Sequence, residues 1–166
     1  MIGYIHGKIL AWDGKKVLIS TSSGLGYEVF SAGPYANGEN TQLYIAHVIK
    51  EDAQALYGFP QHNEKKVFEL LLEVKGVGPK SAFALTLSLG CKTILHAIAT
   101  EDHTLLRKAP GIGAKAAAQI VLDLKGKIEK LGPLASEVGD TPKGSLVAEA
   151  LVACQALGLD EKEILP

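Results

Sequence analysis

The sequence predicts an α+β chain of several parts: a small five-stranded β-barrel, an all-helical domain, a linker and a short, truncated helical segment. Three observations predict this order. Short apolar runs separated by turn signals occupy residues 1–60. From residue 63 onward the apolar positions recur with the helical period. Within this helical region a single motif occurs twice, 35 residues apart. We therefore place the boundaries at residues 1–62, 63–130, 131–144 and 145–166.

The composition is that of a globular protein, with 47% hydrophobic and 6% aromatic residues in a chain of 166. No apolar run approaches the roughly 18–20 residues that a membrane span requires, and Met1-Ile2-Gly3-Tyr4 does not begin a signal peptide. We therefore expect a cytoplasmic protein without a membrane partner. Cys91 and Cys154 lack metal-ligand spacing and are expected to be small buried hydrophobes, so no metal site is predicted.

The net charge of −1 hides an uneven distribution of charged residues. Residues 64–130 contain 11 Lys plus Arg against 7 acids, whereas residues 131–166 contain 2 against 6. The excess cations thus lie on the segment with the repeated motif, which suits binding to phosphates. Arg107 is the single arginine of the chain. Because Arg is the usual reader of guanine, we expect binding that is independent of base sequence.

The first domain is expected to be a closed sheet of the OB type, since five short strands follow one another without a clear helix. The predicted strands are Ile2–Ala11, Val17–Ser20, Gly26–Ser31, Thr41–Ile49 and Ala53–Tyr57. We expect its aromatic residues mostly to fill the barrel, with a stacking platform for bases as the alternative. These residues are Tyr4, Trp12, Tyr27, Phe30, Tyr44 and Tyr57.

The helical domain is expected to begin at Asn63, as the cap of a first helix. A second helix should run from Pro79 to Leu89 and stop at Gly90. The remaining predictions are a linking helix over Cys91–Ala99, a cap at Thr100 or Asp102, and a long helix over Ala114–Lys130. Lysines late in that helix suit its dipole and need no DNA to explain them.

Beyond residue 130, residues 131–144 are rich in Gly and Pro and predict a linker. Ser145–Leu157 then has the apolar stripe of an amphipathic helix, followed by a short end. One helix of this length cannot bury a core. We expect it to be frayed or to dock on another surface.

The repeated motif points to a phosphate. Gly76-Val77-Gly78-Pro79-Lys80-Ser81-Ala82 recurs as Gly111-Ile112-Gly113-Ala114-Lys115-Ala116-Ala117. Paired glycines allow a tight turn, and the helix that follows presents unpaired N–H groups beside a lysine. This pattern is the helix-hairpin-helix; alone, it could merely join two helices. The predicted DNA-binding residues are Val77, Gly78, Lys80, Ser81, Ile112, Gly113, Ala114 and Lys115, with turn glycines Gly76, Gly78, Gly111 and Gly113.

Two adjacent acids, Glu51 and Asp52, fall between the last two predicted strands. They could repel phosphate at the tip of a hairpin. From the residues alone, an ordinary solvated turn is the favoured interpretation.

Taken together, these motifs resemble the RuvA family, which binds Holliday junctions in bacterial branch migration. The resemblance is carried by Met1-Ile2-Gly3, by Gly24–Val29, by Glu51–Phe59 and by the two glycine turns. It implies a four-fold symmetric tetramer, alone or as two facing tetramers, that holds a four-way junction open. It also implies that Glu51 and Asp52 form an acidic pin at the centre. The implied partners are the hexameric ATPase RuvB and the resolvase RuvC. No cofactor is implied, and the chain contains no GxxxxGK[ST] loop for ATP.

The sequence departs from the family pattern at Ala114 and Gln119, where basic residues are common, so the second hairpin is expected to hold DNA more weakly. The family's third domain would also be shortened here to about one helix. Two alternatives from other classes stay open. One is a helix-hairpin-helix DNA glycosylase or lyase, with Asp140 as the nearest catalytic candidate. The other is a general single-strand binder that uses the barrel.

Overall fold

A computed structural model describes residues 1–130 as five strands followed by four helices. The strands are β1 (Tyr4–Trp12), β2 (Lys16–Ser20), β3 (Gly26–Phe30), β4 (Asn40–Ile49) and β5 (Gln54–Phe59). The helices are α1 (His62–Leu72), α2 (Pro79–Ala99), α3 (His103–Leu106) and α4 (Ala114–Lys130). The predicted linker over 131–144 and helical segment over 145–166 lie outside the described residues.

The five strands close into a barrel in the order β1-β2-β3-β5-β4, which confirms the predicted architecture. All neighbouring pairs are antiparallel except β3 and β5, which meet in parallel at Phe30 and Tyr57. A bulge between Ile9 and Ala11 bends β1 as the sheet closes. Aliphatic side chains fill the interior, namely Ile5, Ile9, Val17, Ile19, Val29, Leu43 and Ile45.

The expectation that most of the aromatic residues fill the barrel was wrong. Trp12 and Tyr27 pack against the interior cluster, but Phe30 and Tyr57 belong to a second core outside the barrel. Tyr4 is 49% exposed and its ring meets Tyr44 on the outer surface, with centroids 5.7 Å apart. The branched aliphatic side chains already occupy the narrow interior, so large rings are excluded from most of it.

The second core joins the helices to the outer face of the barrel. Tyr57 and Phe59 of β5 contact Phe68 of α1, with ring centroids 5.0 and 5.1 Å apart. Phe83 of α2 lies 5.2 Å from Tyr57 and 5.6 Å from Phe59, measured between ring centroids. Aromatic contacts of this kind add to the burial of apolar area. They fix the helical domain against the outer face of β4 and β5, near the point where β5 leads into α1.

Two of the predicted helix boundaries are confirmed and one needs correction. Gly90 interrupts α2 with φ of 72°, and the Asp102 carboxylate accepts a hydrogen bond from the Leu105 N–H at 3.0 Å as the cap of α3. Helix α1 is capped by Gln61 rather than Asn63. The Gln61 N–H donates to Glu64 Oε2 at 3.1 Å, so the acid three residues on stabilises the start of the helix.

Helix α2 corrects the expectation that no segment could span a membrane. It is 21 residues long, and an 18-residue window within it has a mean hydropathy of 1.5, so by length and composition alone it could cross a membrane. It is the one such helix among residues 1–130. In the fold, however, Gly90 breaks the helix and Ala82, Leu85 and Ile94 are buried in the second core. Its apolar character is explained by packing against α1, α3 and α4.

Candidate nucleic-acid interface

The two glycine turns are built from the same backbone hydrogen bonds, displaced by 35 residues. Val77 donates its N–H to the Val74 carbonyl at 3.1 Å, and Ile112 donates to Ala109 at 3.3 Å. The bonds before and after follow the same rule. In each corresponding pair the first residue donates its N–H to the carbonyl of the second. The pairs are Glu73 to Leu70 with Lys108 to Leu105, Val74 to Leu71 with Ala109 to Leu106, and Ala82 to Gly78 with Ala117 to Gly113. The sequence repeat is therefore a repeat of structure.

The first glycine of each turn adopts a left-handed backbone, with φ of 88° at Gly76 and 83° at Gly111. A side chain would be strained in that conformation, which accounts for glycine at both positions. The apolar residue that follows anchors the turn, since Val77 and Ile112 are both buried. The turn thus rests on its own helices and presents backbone to the outside.

The second glycine of each turn precedes a helix whose first N–H groups have no partner within the helix. Gly78 is extended, with φ of −88° and ψ of 166°, and Pro79 occupies the first turn of α2 without needing a donor. Lys80 and Lys115 are exposed. Neither forms an ion pair with any residue of 1–130. Each turn therefore combines free amide donors, a helix dipole and an available cation, the elements of an anion site.

The two turns lie side by side. A Cβ built on Gly111 would stand 3.2 Å from Ser81 Oγ, so the start of α2 touches the second turn. No heavy atom lies within 4 Å of the corresponding position on Gly76, Gly78 or Gly113. The two turns are thus adjacent, with Ser81 as the contact between them, and the predicted site residues Val77 and Ile112 lie buried beneath them.

The acidic pair lies in the turn between β4 and β5. The Lys50 N–H donates to the Ala53 carbonyl at 2.8 Å, which closes a tight loop around Glu51 and Asp52. Both acids are exposed, and neither forms an ion pair within the described stretch of the chain. Their charges therefore face solvent at the tip of a hairpin.

The comparisons with known proteins agree with this architecture. A family model described as the RuvA N-terminal domain matches residues 1–58, and one described as a SAM-like helix-hairpin-helix tandem matches residues 68–127. The chain belongs to the RuvA family. Relatives named Holliday junction branch migration complex subunit RuvA include those of Shouchella clausii and Macrococcus caseolyticus, at 39% and 43% identity. These alignments cover 99% of this chain and 85% and 86% of the respective relative.

Not every cation of this RuvA-family chain is available to a ligand. Lys125 and Lys127 of α4 form ion pairs with Glu101 and Glu73, respectively. The first pair holds the connection that leads into α3, and the second ties α4 to the residue after α1. The Lys127 pair therefore braces the two hairpins against each other, and the Lys125 pair holds the second hairpin together. The sequence pattern predicted neither role.

A groove of about 430 Å³ lies between the barrel and the first hairpin of this RuvA-family fold. Lys50 and Ala53 line it on the side of the acidic turn, and Gly78 and Lys80 line it on the side of the hairpin. Sequence reasoning missed it because the two walls are about 25 residues apart in the chain and no local pattern relates them. The resulting surface runs from the acidic turn to the first glycine turn.

No other chemistry is assembled in the described residues. Within residues 1–130 no group of three or more His, Cys, Asp or Glu side chains is arranged to hold a metal ion. Cys91 is buried, and burial raises the pKa of its thiol to about 12, so it stays protonated and unreactive at neutral pH. Asp140 and Cys154 lie outside the described residues.

Proposed function

We propose that this chain binds four-way DNA junctions through their sugar-phosphate backbones, independently of base sequence, and holds them open for branch migration. The observation that carries this proposal is the pair of matching glycine turns, placed side by side and joined at Ser81 and Gly111. Two adjacent anion sites can hold two positions of the DNA backbone at once. The names of the relatives, which specify a Holliday junction complex, support the choice of substrate.

In this proposal the backbone amides of Gly78, Ser81, Gly113 and Ala114 contact phosphate oxygens, as at other helix N-termini. Lys80 and Lys115 add charge without base specificity. Val77 and Ile112 contribute indirectly, because their buried side chains hold the turns in shape. The division into a barrel over 1–62 and a DNA-binding helical domain over 63–130 belongs to the same proposal.

The acidic turn would act at the centre of the junction. Four copies arranged around a four-fold axis would bring four such turns together, and Glu51 and Asp52 would repel the phosphates of the exchanging strands. Repulsion between like charges in a crowded site opposes a closed, stacked junction. Their exposed position at a hairpin tip supports this role.

The chain would be the non-catalytic, cytoplasmic subunit of its complex. The energy for moving the arms would come from a hexameric ATPase of the RuvB type, since this chain has no GxxxxGK[ST] loop. A RuvC-type resolvase would act on the same open junction, bound to one tetramer or between two.

A gel-shift comparison tests the proposal. Four-way junction, linear duplex and single strand of matched length are titrated at about 0.15 M salt, where weak non-specific binding is suppressed. The full chain should prefer the junction strongly and leave all three substrates intact. Equal affinity for junction and duplex contradicts the proposal, and release of a base supports a glycosylase instead.

A second experiment tests the acidic pin. Glu51→Gln and Asp52→Asn together remove both charges and keep the shape of the turn. Because repulsion of phosphate is removed, junction binding should be unchanged or tighter, while ATPase-driven migration should change. The control is Glu39→Gln, which removes a charge from another exposed loop of the barrel. Weaker junction binding by the double variant rules out the pin.

A further inference from the structure

The function proposed above uses one edge of the groove, at Gly78, Lys80 and Ser81, but gives no role to the cavity itself. One wall comes from the end of β4, the turn and the start of β5, and includes Val48, Ala53 and Ala55. The other wall comes from the start of α2, over residues 78–81. A volume of about 430 Å³ falls within the range of about 300–1,000 Å³ found for small-ligand sites.

The charged residues that line the groove limit the kind of ligand that it can bind. Lys50 and Lys80 lie on opposite sides of the groove, and none of the residues that line it is acidic. The Glu51 and Asp52 side chains belong to the neighbouring turn and do not line the groove. An apolar floor between two cations suits a molecule with one flat apolar region and one anionic group. A nucleotide has both.

The aromatic residues that line the groove do not form a stacking platform. The Phe30 ring is stacked on Tyr57, with centroids 5.2 Å apart and planes inclined by 19°, and Lys16 Nζ lies 5.1 Å from the centroid of the same ring. Tyr57 and Lys16 therefore already cover the Phe30 ring, which leaves it no free face on which a base could stack. Val48 and Ala55, which are cross-strand partners, complete the apolar surface. Gln54 and Ser81 add polar groups able to hydrogen-bond the edge of a base.

We infer that this groove receives a nucleobase displaced from the crossover of a bound four-way junction, with the phosphate of that nucleotide at the start of α2. The inference rests on the proposed function, because only a junction held open beside the acidic turn exposes such bases. Bases at the crossover end an arm, so they lack a stacking neighbour on one side. Displacing them costs less than displacing a base inside a duplex. The groove lies between the turn that would repel their phosphates and the hairpin that would bind them.

The experiment uses junctions with 2-aminopurine, a base whose fluorescence rises when it leaves the stack. Placed at the crossover, the probe should brighten when the full chain binds; placed in the middle of an arm, it should not. Ala55→Trp fills the groove and should abolish the rise. The matched control is Ala11→Trp, at an exposed position of β1 that does not line the groove.

Affinities measured in parallel make the test specific. Ala55→Trp should weaken junction binding about tenfold, the worth of one well-held base. It should leave duplex binding unchanged, because the glycine turns are intact. If Ala55→Trp fails to fold, Ala53→Trp places the same ring over the groove from an exposed turn.

Three outcomes overturn the inference while the proposed function stands. The crossover probe stays dark in wild-type complexes that still prefer the junction, or it brightens equally with Ala55→Trp. The third is a change in the solution mass of DNA-free Ala55→Trp, which would assign the groove to contacts between copies of the chain. Loss of junction preference by the wild type is different, since it removes the proposed function itself.

Discussion

The two hairpins share one backbone but have different surroundings. In both, the same hydrogen bonds fix the turn and a buried Val77 or Ile112 supports it. The first hairpin follows an 11-residue helix and opens onto the groove beside the barrel. The second follows a helix of only 4 residues and touches the first through Gly111 and Ser81. The repeated sequence thus forms the same turn twice, but only the first turn lies beside the groove and the barrel.

This difference indicates a division of labour. The first hairpin lies next to both the groove and the acidic turn, so it is placed to act at the crossover. The second has Ala114 where the first has Pro79, and it leans on its neighbour for position. If both merely bound phosphate, equivalent changes in the two would have equal effects. Unequal effects are therefore what a division of labour requires.

The largest effect is expected from reversing charge at the first hairpin. Lys80→Glu places an anion beside the start of α2 and should weaken junction binding by about 10- to 100-fold. Lys115→Glu should weaken it less, because the second hairpin is farther from the groove and the acidic turn. Binding curves at several salt concentrations measure both.

The matched control is Lys92→Glu, which changes the net charge equally at another exposed position of α2. It should have little effect on affinity. The milder changes Lys80→Ala and Lys115→Ala should each lower the salt slope by about one for every lysine–phosphate pair removed. Equal losses of affinity for the two hairpins would contradict the division of labour.

A smaller effect, on stability, is expected at the turn glycines. Gly76→Ala and Gly111→Ala each place a side chain at positive φ, which costs about 1–2 kcal/mol. Gly111→Ala should cost more, because its methyl group would also meet Ser81 Oγ at 3.2 Å, whereas the space at Gly76 is open. Urea unfolding of the full chain measures the free energy of unfolding.

Ser81→Ala provides the control for that contact. Combined with Gly111→Ala, it should restore the extra loss of unfolding free energy that the contact with Ser81 Oγ causes. Combined with Gly76→Ala, it should restore none of the lost stability. Gly78→Ala, at negative φ with open space around it, should cost about 0.5 kcal/mol. A penalty at Gly111 equal to that at Gly76 would show that the two turns do not support each other.

Most of the fold could be predicted because its signals are local. Turn residues and alternating apolar runs marked the five strands, and the displaced motif gave both hairpins at their correct positions. The cap of α1 was misplaced by two residues, since Gln61 is a weaker cap signal than Asn63 and the bond from Glu64 decides. The aromatic residues were misassigned because exposure depends on which face of a strand meets the helices.

The features that distinguish the hairpins could not be predicted, since each depends on contacts between distant segments. The groove joins residues near 50 with residues near 80, and the Glu73–Lys127 ion pair spans 54 positions. Ser81 was predicted as a DNA-binding residue from its place in the motif. Its contact with Gly111 followed only from the packing of α2 beside the second turn.

A modest effect is expected from the ion pairs of α4, one for each hairpin. Lys127→Ala removes the pair to Glu73 behind the first hairpin, and its partners are 50% and 53% exposed. Solvent screens such pairs, so the loss of stability should stay below about 1 kcal/mol. Glu73→Gln should have the same effect, and the double variant should cost no more than either single change. Additive losses in urea unfolding would show that the two residues act separately.

The smallest effect should appear in the pH dependence of the second hairpin. The hydrogen bond from Lys125, together with the charge of that lysine, lowers the pKa of Glu101 below its ordinary value of 4.5. A carboxylate with a lowered folded pKa stabilises the fold above its unfolded pKa, and the contribution is lost as the pH falls through the folded pKa. Glu101→Gln should therefore lower the urea midpoint at pH 7 and match the wild type in acid. Glu51→Gln, in an exposed turn without an ion pair among residues 1–130, serves as the control and should leave the urea midpoint at pH 7 unchanged. Glu101 also has a positive φ of 57°, which glycine tolerates better. At pH 7, Glu101→Gly should therefore lower the urea midpoint less than Glu101→Gln does. In acid, where the wild type has lost the contribution of the ion pair, Glu101→Gly should have a higher urea midpoint than the wild type.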